Sequence, residues 1–403
     1  MAISPHPRRV LFIIGGHWIA GPVTFLRHAC ANLPEFGWEP RLLLTGPARS
    51  GSFDNWPCAV SELRPCHSYS QLAREAAQVI EKHHTGVVVA TDDNTTAVAM
   101  QELYRQASCP VRLLEMLHAD LPSEFSRVER LAPVTTAACA INESVARDLR
   151  RLVPALHDRV FRWYNPVPCA AQPPRPRLSC PVNLIYVGRV SQHEKRVLDL
   201  VEIGKRLLAR GLDFRLTIAG DGEVMDHLHQ RLVANPEVDR RTILTGWLSP
   251  ESITELLRGQ DLFLLPGDRE SMGFALLEAM GQGVVPIVTP LPGPSEVVNE
   301  ETGYTVPVGD YDAFACAVAD AIADPARLQS RRMAAYECVR RTFYMPVAIQ
   351  AFAGILDDTL TLPLPVGRHR FIAPRPLGRM DKLRIPQCLQ YAKRRLFGQY
   401  ITA

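Results

Sequence analysis

The sequence predicts an α/β protein made of two doubly wound domains with parallel sheets. Three observations support this fold class: short apolar runs alternate with longer helical patterns, the alternation restarts midway along the chain, and a proline-dense segment separates the two series. Continuously apolar runs are typical of strands covered on both faces, as in a parallel sheet with crossover helices. The length of 403 residues also exceeds the size at which one core stops growing, roughly 250–300 residues.

Twelve apolar runs predict the strands, six in each domain. In the first domain, placed at residues 1–168, they are Val10–Ile14, Arg41–Leu44, Val87–Ala90, Val111–Leu117, Thr136–Ile141 and Val160–Trp163. In the second domain, placed at residues 169–345, they are Leu184–Val187, Arg215–Ala219, Thr242–Leu244, Leu262–Leu265, Val284–Thr289 and Tyr304–Val306. Helical patterns such as Arg196–Leu208 and Pro250–Leu257 lie between the strands.

Proline-rich segments mark the domain boundaries. Asn165–Pro168 and Gln172–Pro176 predict an interdomain linker, because proline fixes φ and lacks the backbone N–H that regular structure needs. Leu362–Pro365 closes the second domain. We expect residues 346–362 to form a helix that returns toward the first domain, and residues 363–403 to form a basic tail.

Composition and charge exclude several classes of protein. With 45 Lys+Arg, 42 Asp+Glu and 47% hydrophobic residues, the chain is neither collagen-like nor intrinsically disordered, and its near-neutral balance argues against a nucleic-acid binder. The five apolar residues after Arg9 are too few for a secretory signal, and no run approaches the roughly 18 apolar residues that span a bilayer. The 10 cysteines form no CxxC pair, which favours reduced thiols and a cytoplasmic location.

Glycines follow two strands without completing a nucleotide-binding motif. Gly220 and Gly222 lack the third glycine of GxGxxG, and no GxxxxGK[ST] occurs, so a plain dinucleotide dehydrogenase or a P-loop ATPase is not supported. Gly15, Gly16 and Gly21 form a turn after the first strand, where backbone N–H groups can approach an anion. The alternative is ordinary tight-turn chemistry.

Two glutamates mark the strongest candidate site. Glu270 lies in the loop after a predicted strand, where open α/β sheets bind ligands. Glu278 lies in an apolar helix, where a carboxylate needs a partner, and polyol hydroxyls suit it. The N–H groups at the start of this helix, those of Met272, Gly273 and Phe274, predict a phosphate site. The alternative is that Glu270 is a first-turn dipole residue and Glu278 a salt-bridged surface residue.

A basic loop follows the first strand of the second domain. Arg189 stands directly after Gly188, and Lys195 and Arg196 precede the next helix. An arginine fork and a lysine point charge can converge on a diphosphate, whereas the alternative is ordinary solvated charge. The basic loop and the glutamates both fall at carboxyl ends of strands in one domain, which favours a ligand site.

Together these segments resemble the retaining GT-B glycosyltransferases, in particular glycosyltransferase family 4 (group 1 glycosyltransferases). Glu270 and Glu278 match the Glu-x7-Glu motif of that family. Further matches are Tyr186–Arg189 with Lys195, Ala219–Gly222, Thr245–Trp247, Gly293–Glu296 and Asn165–Val167. The resemblance covers residues 8–350 and is more specific in the second domain.

The resemblance implies two Rossmann-like domains that face a central cleft, and a hexosyltransferase reaction that retains the anomeric configuration. The donor would be a UDP or GDP sugar bound by the second domain. The acceptor would be a glycan, a glycolipid or a small molecule bound mainly by the first domain. No cofactor and no metal are implied, and the usual pathway is the biosynthesis of cell-surface polysaccharide or glycolipid.

The resemblance also implies roles for single residues. Glu270 would contact the donor sugar and Glu278 the ribose, while Arg189 and Lys195 would neutralise the diphosphate. His118 matches a family histidine that reaches the donor, although a structural histidine is the alternative. The implied catalytic residues are His118, Arg189, Lys195 and Glu270, and the implied nucleotide-sugar-binding residues are Gly21, Gly188, Gly222, Trp247, Leu248, Met272, Gly273, Phe274 and Glu278. Asp92 and Asp93 would line the acceptor side or cap a helix.

Three departures from the family pattern stand out. His193 acts as an insertion in the basic loop, which leaves either Lys195 or Arg196 as the second cation. Pro266–Asp268 replaces the usual Pro-Ser and changes the donor-sugar loop, and Ala20–Pro22 replaces a double glycine and offers fewer N–H donors. Two other functions stay open: a nucleotide-sugar epimerase of the same fold, and an inactive nucleotide-sugar-binding subunit.

The charge is unevenly distributed. The residues from Pro363 onward carry nine Lys or Arg and a single acid, Asp381, so the rest of the chain is net acidic. Apolar residues of Ile385–Tyr400 stand beside these basic ones, which predicts a peripheral anchor on an anionic membrane surface. The alternative is a solvated tail.

Overall fold

The computed structural model of the chain describes residues 8–15, 21–46, 55–63, 69–91, 94–106, 110–176 and 178–365. The described residues form two compact units. The first unit holds the residues up to Tyr164 together with those from Ile349 onward, and the second unit holds Asn165–Ala348. Each unit contains one parallel sheet with helices.

The sheet of the first unit has seven strands in the described residues, in the order β3-β2-β1-β4-β5-β6-β7, and all neighbours are parallel. The strands are β1 (Arg9–Ile14), β2 (Glu39–Leu44), β3 (Ala59–Glu62), β4 (Val87–Thr91), β5 (Arg112–Leu117), β6 (Ala137–Ala140) and β7 (Val160–Arg162). The helices are α1 (Gly21–Asn32), α2 (Tyr69–Lys82), α3 (Asn94–Gln106), α4 (Pro122–Leu131) and α5 (Glu143–Leu152).

The central strands of this sheet are covered on both faces. All residues of β4 and β5 are buried, which is why these strands read as continuous runs in the sequence. The one acid within β5, Glu115, is fully buried and forms an ion pair with Arg127 of α4. A carboxylate at such a position requires a charged partner, because an unpaired buried charge is costly.

The sheet of the second unit has six parallel strands in the described residues, in the order β10-β9-β8-β11-β12-β13. The strands are β8 (Val182–Val187), β9 (Phe214–Ala219), β10 (Thr242–Gly246), β11 (Leu262–Leu265), β12 (Val285–Val288) and β13 (Tyr304–Thr305). The helices are α6 (Asp199–Ala209), α7 (Met225–Val233), α8 (Pro236–Asp239), α9 (Pro250–Arg258), α10 (Phe274–Gly281), α11 (Tyr311–Ala323) and α12 (Pro325–Thr342). The strand order reverses between β8 and β11, and open α/β sheets bind ligands beside such a switch point.

The last described helix, α13 (Met345–Thr361), completes the core of the first unit. The Phe352 ring of α13 stacks on the Phe12 ring at 6.3 Å between centroids and meets the Phe25 ring edge-on at 5.1 Å. Phe25 in turn packs against Trp163, with centroids 4.4 Å apart. Across the described residues, no helix has both the length and the apolar character needed to cross a bilayer.

The structure confirms the predicted fold class and all twelve predicted strands, with ends that differ by at most two residues. It adds β3, an edge strand whose residues are mostly exposed, so it carries no continuous apolar signal. The predicted helix start at Arg196 was wrong, since α6 begins at Asp199. Arg196 has a φ of 50°, a left-handed conformation that a helix cannot contain.

The predicted interdomain linker is fixed to the second unit. Val167 is fully buried, its N–H donates to the Phe343 carbonyl at 2.9 Å, and its carbonyl accepts the Met345 N–H at 3.0 Å. The Ala170 carbonyl accepts from the Tyr336 hydroxyl at 3.0 Å, and the Ala170 N–H donates to the Gly281 carbonyl at 2.9 Å. The proline-dense segment therefore contributes to the core of the second unit.

Candidate functional site

The candidate site lies at the carboxyl ends of the strands in the second unit. The loops after β8, β9 and β10 are joined by main-chain hydrogen bonds, with the Gly188 N–H donating to Ala219 and the Gly220 N–H donating to Gly246, at 3.0 and 2.9 Å. Gly220 has a φ of 140°, and a Cβ there would lie 1.9 Å from the Gly188 carbonyl oxygen. Only glycine allows this close approach, so the glycines after β9 have a packing role.

Two predicted glycines of the site offer no free N–H group. The Gly188 N–H is taken by the Ala219 carbonyl, and the Gly222 N–H donates to the Asp221 carboxylate at 2.7 Å. A Cβ on Gly222 would also lie 2.4 Å from the Val190 carbonyl oxygen. These glycines shape the loops, and their N–H groups are occupied by acceptors of the protein itself.

The structure brings together the predicted cation of the β8 loop and the predicted carboxylate of the β11 loop. The Lys195 Nζ lies 2.9 Å from the Glu270 Oε2, and both side chains are about one-sixth exposed, at 17% and 16%. The other Glu270 oxygen accepts the Ser271 N–H at 3.1 Å. A partly desolvated pair of this kind holds both groups in place and leaves each within reach of a ligand.

Arg189 lies in the same loop and forms a looser ion pair. Its Nη2 is 3.5 Å from an oxygen of Glu194, and the Nη1 of Arg269 is 3.6 Å from the other oxygen. Both guanidinium groups are more than half exposed. One carboxylate therefore faces two arginines, one from each loop.

Arg196, the other cation that the sequence left open, is occupied by acids. Its Nε donates to Asp199 at 2.7 Å, and its Nη1 lies 3.9 Å from Asp268. Asp199 is the first residue of α6 and is buried. Arg196 thus joins the helix start to the β11 loop, whereas Lys195 faces Glu270.

The N-terminus of α10 lies directly behind Glu270. Gly273 precedes the helix with a φ of 75°, and no side chain caps the helix start. A Cβ on Gly273 would lie 3.2 Å from the Glu270 carboxyl carbon, so glycine lets this carboxylate approach the helix. Within the described residues, the N–H groups of Met272 and Gly273 donate to no main-chain or side-chain acceptor. Gly273 is partly exposed, so its N–H is available to an anion, whereas Met272 is fully buried.

Glu278 lies one turn further along α10. Burial raises the pKa of this carboxyl to about 7, well above its ordinary value. Among the described residues no group bonds or pairs with the Glu278 side chain. A carboxylate in this state gains from any ligand that supplies hydroxyl donors.

The loop after β10 presents an aromatic side chain. Trp247 is 72% exposed and follows Gly246, whose φ of 67° turns the chain. Leu248, the next residue, is partly buried. An exposed tryptophan beside a ligand site offers a flat apolar surface to a ring.

In the first unit, His118 follows β5 directly. Burial, with a smaller contribution from the positive charge of Arg127, lowers the pKa of His118 to about 3, so the imidazole is neutral near pH 7. Its Nε2 is buried and has no hydrogen-bond partner in the described part of the chain. The ring meets the Trp163 ring edge-on at 5.2 Å, and the His118 main-chain N–H donates to Glu124 at 2.9 Å.

The remaining predicted positions lie in the first unit or outside the described residues. Gly21 is the first residue of α1 and is followed by Pro22. Asp92, Asp93 and the predicted membrane-binding segment Ile385–Tyr400 lie outside the described residues. Sequence reasoning missed Glu194 and Arg269, because single charges in loops carry no pattern. The only available signal was that each stands next to a predicted site residue in the sequence.

Comparisons with known proteins find relatives by sequence and by fold. A family model described as glycosyl transferases group 1 matches residues 181–324, the stretch that holds Arg189, Lys195, Glu270 and Glu278. The chain is 32% identical over 167 residues to N-acetyl-alpha-D-glucosaminyl L-malate synthase of Bacillus anthracis, which covers 41% of this chain and 43% of the relative. It is 33% identical over 131 residues to the Escherichia coli UDP-Gal:alpha-D-GlcNAc-diphosphoundecaprenol alpha-1,3-galactosyltransferase, which covers 32% of this chain and 33% of the relative. The matched stretches thus span less than half of these curated relatives.

Solved structures resemble nearly the whole chain. A glycosyltransferase from Rickettsia africae gives a TM-score of 0.71 at 16% identity, over 88% of this chain and 98% of that chain. Anabaena HepE in complex with UDP gives 0.70 at 14% identity, over 87% and 99%. Likeness at such low identity concerns the fold. The chain therefore has the two-domain, Rossmann-like GT-B fold, and residues 181–324 match the group 1 glycosyltransferase family.

Proposed function

We propose that this chain is a retaining glycosyltransferase of family 4 that transfers a hexosyl group from a UDP or GDP sugar to an acceptor hydroxyl. The observation that carries the proposal is the 2.9 Å pair of Lys195 and Glu270 beside the open start of α10. A cation for a diphosphate and a carboxylate for a sugar lie together there. Both lie in the stretch matched by the glycosyltransferase family model.

In this proposal the diphosphate is bound by positive groups from two loops. Arg189 and Lys195 approach from the β8 loop, and the unpaired N–H of the partly exposed Gly273 approaches from the start of α10, next to that of the buried Met272. As the glycosidic bond breaks, negative charge develops on the leaving diphosphate. Preorganised donors and cations at that position stabilise the transition state more than the bound donor, which is how they accelerate the reaction. These side chains take the role of a metal ion, so we expect no metal requirement.

Five further residues orient the donor. Glu270 accepts hydrogen bonds from sugar hydroxyls, and Glu278 accepts them from the ribose, because its carboxyl lacks another partner among the described residues. Trp247 and Leu248 lie beside the base. His118 of the first unit contributes a neutral imidazole whose buried Nε2 has no partner in the described residues.

No side chain assigned to the site stands out as a covalent nucleophile, and the leaving diphosphate can itself act as a base. We therefore propose that the departing diphosphate oxygen takes the proton of the acceptor hydroxyl on the same face of the sugar, which retains the anomeric configuration. The acceptor is a glycan, glycolipid or small molecule of cell-surface polysaccharide or glycolipid biosynthesis. The reaction is placed in the cytoplasm, with the basic tail on an anionic membrane surface.

Several relatives support the choice of substrate class by their names. One is a galactosyltransferase that uses UDP-Gal on a diphosphoundecaprenol acceptor, and another is a GDP-mannose-dependent mannosyltransferase of phosphatidylinositol dimannoside from Mycobacterium tuberculosis. Anabaena HepE has been solved in complex with UDP-glucose. UDP and GDP sugars are therefore the first donors to test.

The test begins with calorimetric titration of the protein with UDP, GDP and ADP. It continues with a transfer assay that follows the release of the nucleoside diphosphate from the matching donor sugars in the presence of EDTA. We expect Arg189→Ala and Glu270→Ala each to lower transfer by at least about 10²-fold, because each removes a group aimed at the reacting donor. Arg240→Ala and Glu237→Ala are matched controls, since both residues are exposed and precede β10 at the opposite end of the sheet. Full transfer in the Arg189 and Glu270 variants, or inversion of the product anomer, would refute the proposal.

A further inference from the structure

Glu194 joins the two loops of the candidate donor site through its main chain. Its carbonyl oxygen accepts the N–H groups of Asp268 and Arg269, at 3.1 and 3.3 Å. A Cβ on Gly267 would lie 2.8 Å from this oxygen, so the glycine that replaces the usual serine of the family allows the contact. The β8 loop and the β11 loop are therefore held together independently of the Glu194 side chain.

The Glu194 side chain has a separate position, between two guanidinium groups. One oxygen is 3.5 Å from Arg189 and the other is 3.6 Å from Arg269. Within the described residues, the Arg189 guanidinium has no other ion-pair or hydrogen-bond partner. The cation that we assign to the diphosphate is thus occupied by an anion of the protein itself.

This pair differs from the neighbouring pair of Lys195 and Glu270. Charge-assisted N–H···O hydrogen bonds are typically about 2.7–2.9 Å long, so the Arg189–Glu194 contact at 3.5 Å is a looser attraction. Arg189 is 60% exposed, whereas Lys195 is 17% exposed. Exposed pairs of this kind contribute a factor of about two to five in an equilibrium constant, which a diphosphate with several negative charges easily exceeds.

We propose that the Glu194 carboxylate is a displaceable counter-anion of the donor site. It holds Arg189 in the free protein, gives up Arg189 when a nucleoside diphosphate binds, and stays with Arg269. This inference rests on the proposed function. Its consequence is that Glu194 competes with the diphosphate product for Arg189 and so speeds the release of that product.

Glu194→Gln tests this role, because it removes the charge, keeps the size of the side chain and leaves the main-chain hydrogen bonds in place. We expect UDP or GDP, whichever the wild type binds, to bind about two- to fivefold more tightly to the variant. Inhibition by the same product should strengthen by the same factor. A residue that only supported the loop would give the opposite sign, namely weaker binding. Glu194→Asp keeps the charge and should bind like wild type, and Glu237→Gln is the matched exposed control.

A double-mutant cycle locates the effect. In an Arg189→Ala background, Glu194→Gln should no longer tighten binding, because the competition takes place on Arg189. Unchanged or weaker binding in Glu194→Gln, or an equal gain with and without Arg189, would overturn the counter-anion while leaving the glycosyltransferase proposal intact. A wild-type protein that binds neither UDP nor GDP would overturn both.

Discussion

Strand β11 has a carboxylate at each end: Asp261 directly before it and Glu270 in the loop after it. Asp261 is fully buried, and its Oδ2 accepts the N–H groups of Ser179 and Asn183 at 3.2 and 3.0 Å. Its Oδ1 lies 3.4 Å from Arg332, which is equally buried. Glu270 is partly exposed and pairs with Lys195.

The difference separates an acid that serves the fold from an acid that is available to a ligand. Both oxygens of Asp261 already have partners within the protein, so they are not available as acceptors to a substrate. Asp261 instead connects the amino end of the sheet to α12. Glu270 keeps solvent access beside a helix start with free donors. Sequence position alone would not distinguish the two, since each is an acid next to the same apolar strand.

The largest expected effect is on stability, when Asp261 at the amino end of β11 is replaced. Asp261→Ala removes the carboxylate that pairs with the buried Arg332 guanidinium, which we expect to lower the free energy of unfolding by about 3–5 kcal/mol. Denaturant unfolding of the wild type and the variant measures this. A loss below about 1 kcal/mol would show that Arg332 finds other acceptors, of which the Gly283 carbonyl at 2.8 Å is one.

At the carboxyl end of β11, replacing the partner of Glu270 should change activity. Lys195→Ala removes a cation from the leaving diphosphate, and we expect kcat/KM to fall about 10²–10³-fold with little change in the free energy of unfolding. Arg196→Ala is the matched variant, because Arg196 is held by Asp199 and should change kcat/KM less than tenfold. Equal losses in the two variants would contradict the assignment of Lys195, in preference to Arg196, as the second diphosphate cation.

The smallest effect concerns Glu278. Its pKa of about 7 in the free protein lies above the value in the unfolded chain, so folding favours the protonated carboxyl. The resulting contribution to the free energy of unfolding is present at low pH and is lost as the pH rises from about 4.5 to 7. Ribose hydroxyls favour the ionised form instead. The affinity for the nucleoside diphosphate should therefore rise with pH from 5 to 7 and level off above.

Glu278→Gln isolates this titration. The same calorimetric series on the variant retains the ionisation of the ligand itself and lacks that of Glu278. The wild-type curve should be steeper by up to about tenfold in affinity per pH unit below the pKa. Parallel curves for the two proteins would remove Glu278 from the ribose site.

Much of the fold was predictable because the central strands are covered on both faces and read as unbroken apolar runs. The β3 strand was not, since an exposed edge strand needs no apolar residues. The start of α6 depended on the left-handed conformation of Arg196, whose side chain pairs with Asp199 three residues later and also reaches Asp268. The Asp268 contact joins two loops that are distant in the sequence. No local propensity encodes such contacts.

The candidate site was predictable where its residues form a motif with a fixed spacing, as Glu270 and Glu278 do in the Glu-x7-Glu motif. It was not predictable where a side chain could pair in several ways. The choice between Lys195 and Arg196 and the position of Glu194 between two arginines both depend on which loops meet. The resemblance implied that Gly222 binds the nucleotide sugar. The structure adds that neighbouring carbonyl oxygens approach both Gly220 and Gly222 too closely for any side chain at these positions, which no sequence pattern shows.

The aromatic contact of Phe352 with Phe12 and Phe25 has a consequence for the order of folding during synthesis. The first unit is discontinuous in sequence, while the second is one continuous stretch, Asn165–Ala348. The ribosome therefore releases every residue of the second unit before residues 349–361, the part of α13 that belongs to the first unit. Although domains generally fold in the order of their synthesis, the later unit of this chain can reach its native core first, while the earlier unit waits for α13.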